Sequence, residues 1–484
     1  MMGLIVFLLA FAGTLLAAIV AGLLLWAFSR PLFKRLVGHF IRRLMNDPYG
    51  ENLWEMVTAL LRIPPWIVLE NSLRAAAPGI LERPFGSPRR RKDFAGLVFS
   101  PAQLAVLPAP ESAYVDTRLT IGPDADKPLK LEIPLLAAGM AYGVGLNERV
   151  KIAIAKGTAA VGTATNSGEG PFLPEERIYA RHFILQYHSG SWAKEPETLR
   201  QADAIEIRFG QGATAGAGIT IQPNALSEKA RMLAGVAGNR PLTLPSRHPE
   251  VSRPQDLKRL VDKLRRLTGG VPIGVKLAPS GWLEADLEAA VRADVDFISI
   301  DGGQGGSKAA PPILSDDFGL PTLFALTRAV RFLRQCGARR RITLLTGGGY
   351  ATPGDCLKAL ALGADGVYMG TVVLWAMTHD QITKAIPWEP PTQLTWDNGL
   401  LADVFDVDKA ATSLANLFTS FTEEMKLAVR ALGKTSVRDV DAGDLVALDE
   451  WTSKITGVRL ACEPWEPGRS GETGGDGARG TRRR

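Results

Sequence analysis

From Leu131 to about Ala376 short apolar runs alternate with amphipathic stretches, which restricts the chain to repeated strand–helix units around a buried parallel sheet. The runs are Leu135–Ala138, Ala160–Thr163, Phe183–Tyr187, Ala204–Arg208, Gly274–Ala278, Phe297–Asp301, Ile342–Thr346 and Gly366–Gly370. Between them, Asn147–Lys156, Pro254–Leu267, Leu283–Ala293, Pro321–Cys336 and Thr352–Leu362 carry apolar residues at three- and four-residue spacing, which predicts helices. Eight units in about 245 residues match the length of an α/β fold of the (β/α)8, or TIM barrel, type. A doubly wound open sheet shares this periodicity. The barrel is favoured by where Gly, Asn, Lys and Asp collect: after the C-terminal ends of nearly every run, where barrel loops converge on one site. A further run, Leu242–Leu244, lies in the long excursion after the fourth strand, a place for substrate contacts or for structural padding.

The seventh unit is the most informative. Gly347, Gly348 and Gly349 close a buried strand and a helix begins a few residues later. Consecutive glycines let backbone N–H groups approach a phosphate with no Cβ in the way, and a helix N-terminus adds a favourable dipole. The next strand ends in Gly370-Thr371, which offers another N–H and a hydroxyl. One glycine cluster alone reads equally well as a tight turn. Two at successive strand ends match the phosphate site common after strands seven and eight of a barrel. Gly302-Gly303-Gln304-Gly305-Gly306 and the stretch from Gly212 to Gly218 are also glycine-rich. Neither opens a βαβ unit with an acidic residue about 20 positions on, so no dinucleotide fingerprint is predicted.

Met1 to Ser29 contains no ionisable side chain and exceeds the roughly 20 residues a helix needs to cross a bilayer, which predicts a transmembrane helix over 1–29. A cleaved signal peptide is the alternative; the missing basic n-region and the length of the apolar stretch speak against it. Arg30, Lys34, Arg35, Arg42 and Arg43 follow at once, so the positive-inside bias predicts a single-pass anchor in the cell membrane with the body cytoplasmic. Residues 30–130 read as a juxtamembrane connector and barrel lead-in, with helical periodicity from Leu53 to Leu61, then Pro64-Pro65 and a basic run ending at Lys92. These basic residues are either solvated or touch anionic headgroups. The barrel is expected over 131–378, and a C-terminal helical extension over 379–463, strongly amphipathic from Leu414 to Leu432. Within it Trp388-Glu389-Pro390-Pro391 reads as a rigid loop. Residues 464–484 read as a disordered tail by composition.

The net charge of +6 comes largely from Arg30 to Arg43, Arg89 to Lys92 and Arg482 to Arg484, with no basic–aromatic interleaving in the barrel, so nucleic acid is not an expected partner. The three cysteines, Cys336, Cys356 and Cys462, fit no zinc, iron–sulfur or redox-pair spacing, and no metal site is predicted.

Four blocks carry a family resemblance: Asn166-Ser167-Gly168-Glu169-Gly170, Gln211-Gly212-Ala213, Val275-Lys276-Leu277, and Asp301 through Ser307. With TGGGYATPGD and LGADGVYMGT they cover about residues 131–375 in consistent order. The chain resembles the FMN-binding synthase domain of the glutamate synthase large subunit and its stand-alone relatives. The resemblance implies that Gly139 and Met140 lie beside the flavin and Gln186 and Lys276 near its ring. It places Gly302, Gly303, Gly305, Gly306, Gly347, Gly348, Gly349, Gly370 and Thr371 around the ribityl phosphate, and includes Asn166 and Asp301 among the cofactor-binding residues. Lys276 also stands out physically, since a lysine inside an apolar strand is costly unless its ammonium meets a partner. That partner is a reduced flavin or a barrel carboxylate such as Glu206. Glu169 matches a substrate-side acid of the family that orients an amine or imine; the alternative is a cap on the helix at Pro174.

Departures from the family carry expectations of their own. Where large subunits have an amidotransferase domain the chain has a hydrophobic helix, so glutamine hydrolysis by that route is not expected. Thr371 to Asn398 contains no cysteine, so no iron–sulfur cluster is expected there. After the fourth strand, Thr214 and Thr220 stand where the family has the lysine and glutamine that hold 2-oxoglutarate carboxylates. Arg208 is the candidate to replace some of that charge, being suited to bidentate carboxylate recognition. Lys276, Glu169 and Arg208 are therefore the expected catalytic residues. The expected function is FMN-dependent reductive amination of a small 2-oxo acid, part of glutamate biosynthesis, or the reverse. The alternatives are a membrane-linked FMN dehydrogenase of another small molecule and a non-catalytic FMN-binding relative. An electron-donor protein or a quinone is the expected redox partner, and a homo-oligomer is compatible with the sequence.

Overall fold

The computed structural model describes residues 2–48, 54–236, 238, 240–385 and 391–464, and it divides into two compact units, Met1–Leu81 and Glu82–Arg484. All but Pro391 of the loop expected at Trp388 to Pro391, and all but the first residue of the tail expected over 464–484, lie outside the described residues.

The first unit is helical. Met2–Asn46 is one continuous helix that passes through Pro31 and extends well beyond the predicted end at Ser29, because the basic stretch after it is rich in the good helix formers Leu, Arg and Lys. Its segment Ile5–Asn46 is long and apolar enough to cross a membrane. Trp54–Arg62 and Pro65–Ala76 follow, the latter with proline at its first position, where the missing N–H costs nothing.

The second unit is built on eight parallel strands: β1 (Leu135–Ala137), β2 (Ala164–Asn166), β3 (His182–Tyr187), β4 (Ala204–Arg208), β5 (Ile273–Leu277), β6 (Phe297–Asp301), β7 (Thr343–Gly347) and β8 (Gly366–Met369). Consecutive strands from β2 to β8 pair in parallel, and β8 pairs with β1 through Val367 opposite Leu135. A doubly wound sheet would leave β1 and β8 apart; here the sheet curls into a nearly closed barrel. The seam between β1 and β2 has no ladder, but the Thr163 hydroxyl donates to Leu135 O across it at 2.6 Å.

Seven of the eight expected strands fall within a residue or so of their observed ends. The run Ala160–Thr163 does not form a strand: the preceding helix, Glu148–Ala160, takes up its first residue, and a turn at Gly162 (φ +70°) precedes β2. Ala160 is exposed at the helix end and Val161 is half-buried just past it, while the strand itself is the more polar Ala164-Thr165-Asn166. Leu242–Leu244 is a strand outside the barrel, paired antiparallel with Ile219–Ile221.

The barrel is closed at its base by a hairpin, Leu119–Ile121 with Leu129–Leu131, whose leucines and Ile121 meet Ala164, Ile184, Ala204, Phe297 and Leu345 inside the ring. At the periphery Leu97–Phe99 pairs with Leu445–Ala447, so the C-terminal extension is not wholly helical. Its long helix, Val407–Ala431, buries Leu414, Phe418, Phe421, Met425 and Val429 along one stripe and opens with Asp406 accepting from the Lys409 N–H.

Candidate functional site

A cavity of about 680 Å³ opens at the C-terminal ends of the strands, within the usual range of small-molecule sites. Its floor is set by β5 and β6. Lys276 lies on β5, level with Arg208 of β4 and Ser299 of β6. Its side chain is 5% exposed, and its Nζ lies 3.3 Å from Asp301 Oδ2. Burial pulls its pKa down, but Asp301, then Glu206 and Glu169, outweigh that and hold it above the ordinary lysine value. The cation is therefore fixed at neutral pH.

Glu206, the partner considered for Lys276 on sequence grounds, is fully buried one layer lower on β4. Its Oε1 accepts from Gln186 Nε2 at 2.8 Å and from Asn166 Nδ2 at 3.0 Å. Asn166 and Gln186 are thus held beneath the cavity, where Cβ atoms built on Gly139 would strike Asn166 Oδ1 and Gln186 Nε2. Gln186 Oε1 and Ser299 Oγ are buried with no hydrogen-bond partner.

Gly347 ends β7 and Gly348 and Gly349 follow it, with Gly305 and Gly306 after β6 and Gly370-Thr371 after β8; all line the cavity, as do Gly139 and Met140. Gly348 adopts φ +106°, a backbone region closed to other residues, and a Cβ there would lie 2.8 Å from Gly302 O. The Thr322 hydroxyl donates to Gly348 O at 2.7 Å and fixes the turn. Gly370 precedes the helix Thr371–Thr378, whose first two residues, Thr371 and Val372, line the cavity and carry N–H groups with no intrahelical acceptor. Gly302 and Gly303 do not line the cavity: they pack against Thr322 and Gly319 and support the loop from behind.

Glu169 reaches the cavity from the loop after β2. It accepts from Gln211 Nε2 at 3.3 Å and lies 3.8 Å from Arg208 Nε. The helix at Pro174 is capped by Leu173 with no side-chain bond, so the capping alternative for Glu169 is set aside. Arg208 does not line the cavity; it is buried behind Glu169, bonds Gln211 Oε1 at 3.4 Å and leaves Nη2 unpartnered. The charge expected to help hold a substrate carboxylate thus faces the Glu169 carboxylate, with Arg208 itself outside the cavity lining. Thr214 is buried away from the cavity, while Thr220 lines it.

Several residues at this site escaped the sequence reading. Ser299 and Tyr368 line the cavity from within apolar strands. Like Lys276, each is a polar side chain inside a buried run, a signal the sequence carries. Tyr368 takes a bond from Asn166 Nδ2 at 3.3 Å, and burial, with Glu206 nearby, raises its phenol far above the ordinary range. Lys151, Lys308, Trp396 and Asn398 carry no such local signal, since each sits on an ordinary amphipathic helix or in a loop.

The chain matches the family model described as a conserved region in glutamate synthase over residues 109–435. It is 32% identical over 418 residues to a glutamate synthase large subunit-like protein of Rhizobium meliloti (strain 1021), covering 82% of this chain and 94% of that protein. It is 30% identical to an archaeal-type glutamate synthase [NADPH] of Thermotoga sp. (strain RQ2), covering 73% and 70% of the two chains. The archaeal glutamate synthase [NADPH] of Archaeoglobus fulgidus is 29% identical, with 69% and 66% covered. Among solved structures, a mutant chimera of (S)-mandelate dehydrogenase superposes with a TM-score of 0.49 at 13% identity, covering 78% of this chain and 94% of that one. The barrel assignment rests on the strand register above, and the family on the sequence matches: the chain belongs to the glutamate synthase family.

Proposed function

We propose that the cavity holds FMN and that the protein is an oxidoreductase interconverting a small 2-oxo acid and ammonia with the corresponding amino acid. The observation that carries this reading is Lys276, a fixed cation at the floor of a glycine-rimmed cavity. FMN, when bound, supplies a centre that accepts or donates two electrons as hydride. The residues present fit it: Gln186 Oε1 and Ser299 Oγ are buried without partners, and the glycines after β6, β7 and β8 leave room for a phosphate against backbone amides. Lys276 would stabilise negative charge that develops on the group above it. Asn166 and Gln186 are oriented by Glu206, and Glu169, backed by Arg208, offers a carboxylate to an amine or imine.

The helix Met2–Asn46 supports a single-pass anchor, and the basic residues Arg30 to Arg43 within it support a cytoplasmic body. The same helix favours a second reading, a membrane-linked FMN dehydrogenase passing electrons to a quinone. In either reading electrons reach FMN directly, since Thr371 to Asn398 holds no cysteine for a cluster.

The full chain, purified in detergent, is expected to be yellow with bound FMN. Its flavin, reduced anaerobically, should be reoxidised by 2-oxoglutarate with ammonia. Failure of that reoxidation, together with bleaching by another donor, would transfer the assignment to the dehydrogenase. A colourless chain that does not take up FMN sinks both. Gly348→Ala is expected to weaken FMN binding about 30-fold, near 2 kcal/mol, because the new Cβ meets the Gly302 carbonyl and the φ is strained. Fluorescence titration of the apoprotein with FMN checks this, and an unchanged affinity would place the phosphate elsewhere.

A further inference from the structure

Two cations line the cavity among the described residues, Lys276 and Lys308. Lys276 is matched by Asp301. Lys308 follows the Gly305-Gly306 turn and has no such match. Its Nζ donates to Asn398 Oδ1 at 3.0 Å and stands 5.5 Å from the centre of the Trp396 ring. The carboxylates that influence it are Asp397 and Glu82, and neither forms an ion pair with it. Asp397 is committed to Ser227, accepting from its N–H at 2.6 Å and from its hydroxyl at 3.1 Å. Burial draws the lysine below its ordinary pKa and these two acids push back. A half-buried ammonium with one neutral acceptor and an aromatic face still has donors to give.

The surroundings are rigid. Residues 395–397 are laid against residues 145–147 by Asn147 N–H to Thr395 O at 3.0 Å and Asp397 N–H to Gly145 O at 3.1 Å. Leu146 forms a bridge to Trp396 in the same stretch. Lys308 thus points at a wall made by the loop after β1 and the Trp396 segment, whereas the phosphate cradle is assigned to the glycines after β7 and β8. Thr214, where the family has a carboxylate-holding lysine, is buried behind the cavity and brings no charge.

We propose that Lys308, with Asn398 and the face of Trp396, is an anion subsite that takes the distal carboxylate of a small dicarboxylate substrate. This rests on the reading of the cavity as a 2-oxo-acid and amino-acid site, and it names the feature that would select acidic substrates over neutral ones. The selecting charge has moved from the loop after β4 to the loop after β6.

Calorimetric titration of the full-length, FMN-loaded protein tests it with glutarate and 2-oxoglutarate against pentanoate and 2-oxopentanoate, which lack the distal carboxylate. The wild type is expected to prefer each diacid about tenfold or more, and Lys308→Met to lose that preference while keeping its FMN content. Lys308→Arg should retain part of it. The same preference in Lys308→Met, or no diacid binding by the wild type, overturns the subsite. Loss of FMN from Lys308→Met with the preference intact assigns the lysine to the phosphate and overturns it too. Diacid preference that depends on Lys308, without reoxidation by 2-oxoglutarate and ammonia, leaves the subsite standing and removes the proposed reaction instead.

Discussion

Lys276→Met is expected to slow reduction of the bound flavin by its substrate about 100-fold or more, the loss typical of removing one preorganised charge from a site where negative charge develops. Stopped-flow absorbance at the flavin band measures it on folded, FMN-loaded protein. The effect is large because nothing nearby can take the place of the ammonium. Arg208 faces Glu169, and Lys308 is turned to Asn398 and Trp396. The variant also leaves Asp301 without the cation 3.3 Å away. A stability loss accompanies the rate effect and is read separately by thermal unfolding. The pH dependence has a definite sign. With its folded pKa raised, Lys276 contributes stability that is fully present below the unfolded value, about 10.4, and is lost as pH rises through the folded value. The lysine therefore introduces no pH dependence across the neutral range. A rate within twofold of wild type would make Lys276 a purely structural ion-pair partner.

Lys151→Met is expected to destabilise the protein by about 3–5 kcal/mol, the usual cost of breaking a buried pair from one side. Lys151 is fully buried, and its Nζ lies 2.9 Å from Glu176 Oε1. It also donates to Met140 O at 2.7 Å and Asn166 O at 3.0 Å. A single ammonium thereby ties the loop after β1 to the loop after β2, and so holds Met140 and Asn166 in place at the cavity. Gly168 completes that contact: with φ +67° it lets its backbone approach Ala141, where a Cβ would lie 2.6 Å from the amide nitrogen.

Without the lysine, Glu176 remains buried against Thr165 alone. Burial already raises its pKa against the pull of Lys151, and the variant raises it further. A carboxyl with raised folded pKa contributes stability below its unfolded value and loses it as pH climbs through the folded one, at about 1.4 kcal/mol per pH unit between the two. The deficit of Lys151→Met is therefore expected to shrink as pH falls from 7.5 toward about 5, and Glu176→Gln in the same chain to recover part of it at neutral pH. Denaturant unfolding followed by circular dichroism checks both. A deficit under about 1 kcal/mol that ignores pH would show that the pair does not hold these loops.

Much of this architecture is written locally. Each barrel strand is a short apolar run and each large helix an amphipathic one, so periodicity located seven strands to within a residue or so. The eighth was displaced because Ala160 ends the preceding helix and Val161 caps it, and an apolar run at a helix end looks like one in a strand. Lys276 and the glycines were legible for the same local reason: a charge within an apolar strand and a row of residues without Cβ are unusual wherever they occur. Ile219–Ile221 was not read from the sequence, although its equally short antiparallel partner Leu242–Leu244 was.

Sequence by itself determined the strand–helix alternation, the apolar N-terminal helix, and the presence of a buried cation and a glycine cradle. These follow from properties of single residues and their neighbours in the chain. Only the tertiary structure decided which groups meet. Glu206 and Asp301 were equally available to Lys276 on paper. The register puts Lys276 level with Arg208 and Ser299, so its long stem rises to Asp301 on the layer above while Glu206 stays below with Asn166 and Gln186. Arg208 is buried behind Glu169, and Lys308 meets Trp396 and Asn398 about 90 positions away in the chain. Such pairings are set by ring closure, strand register and the path of returning loops, which couple residues far apart in sequence and leave no local trace.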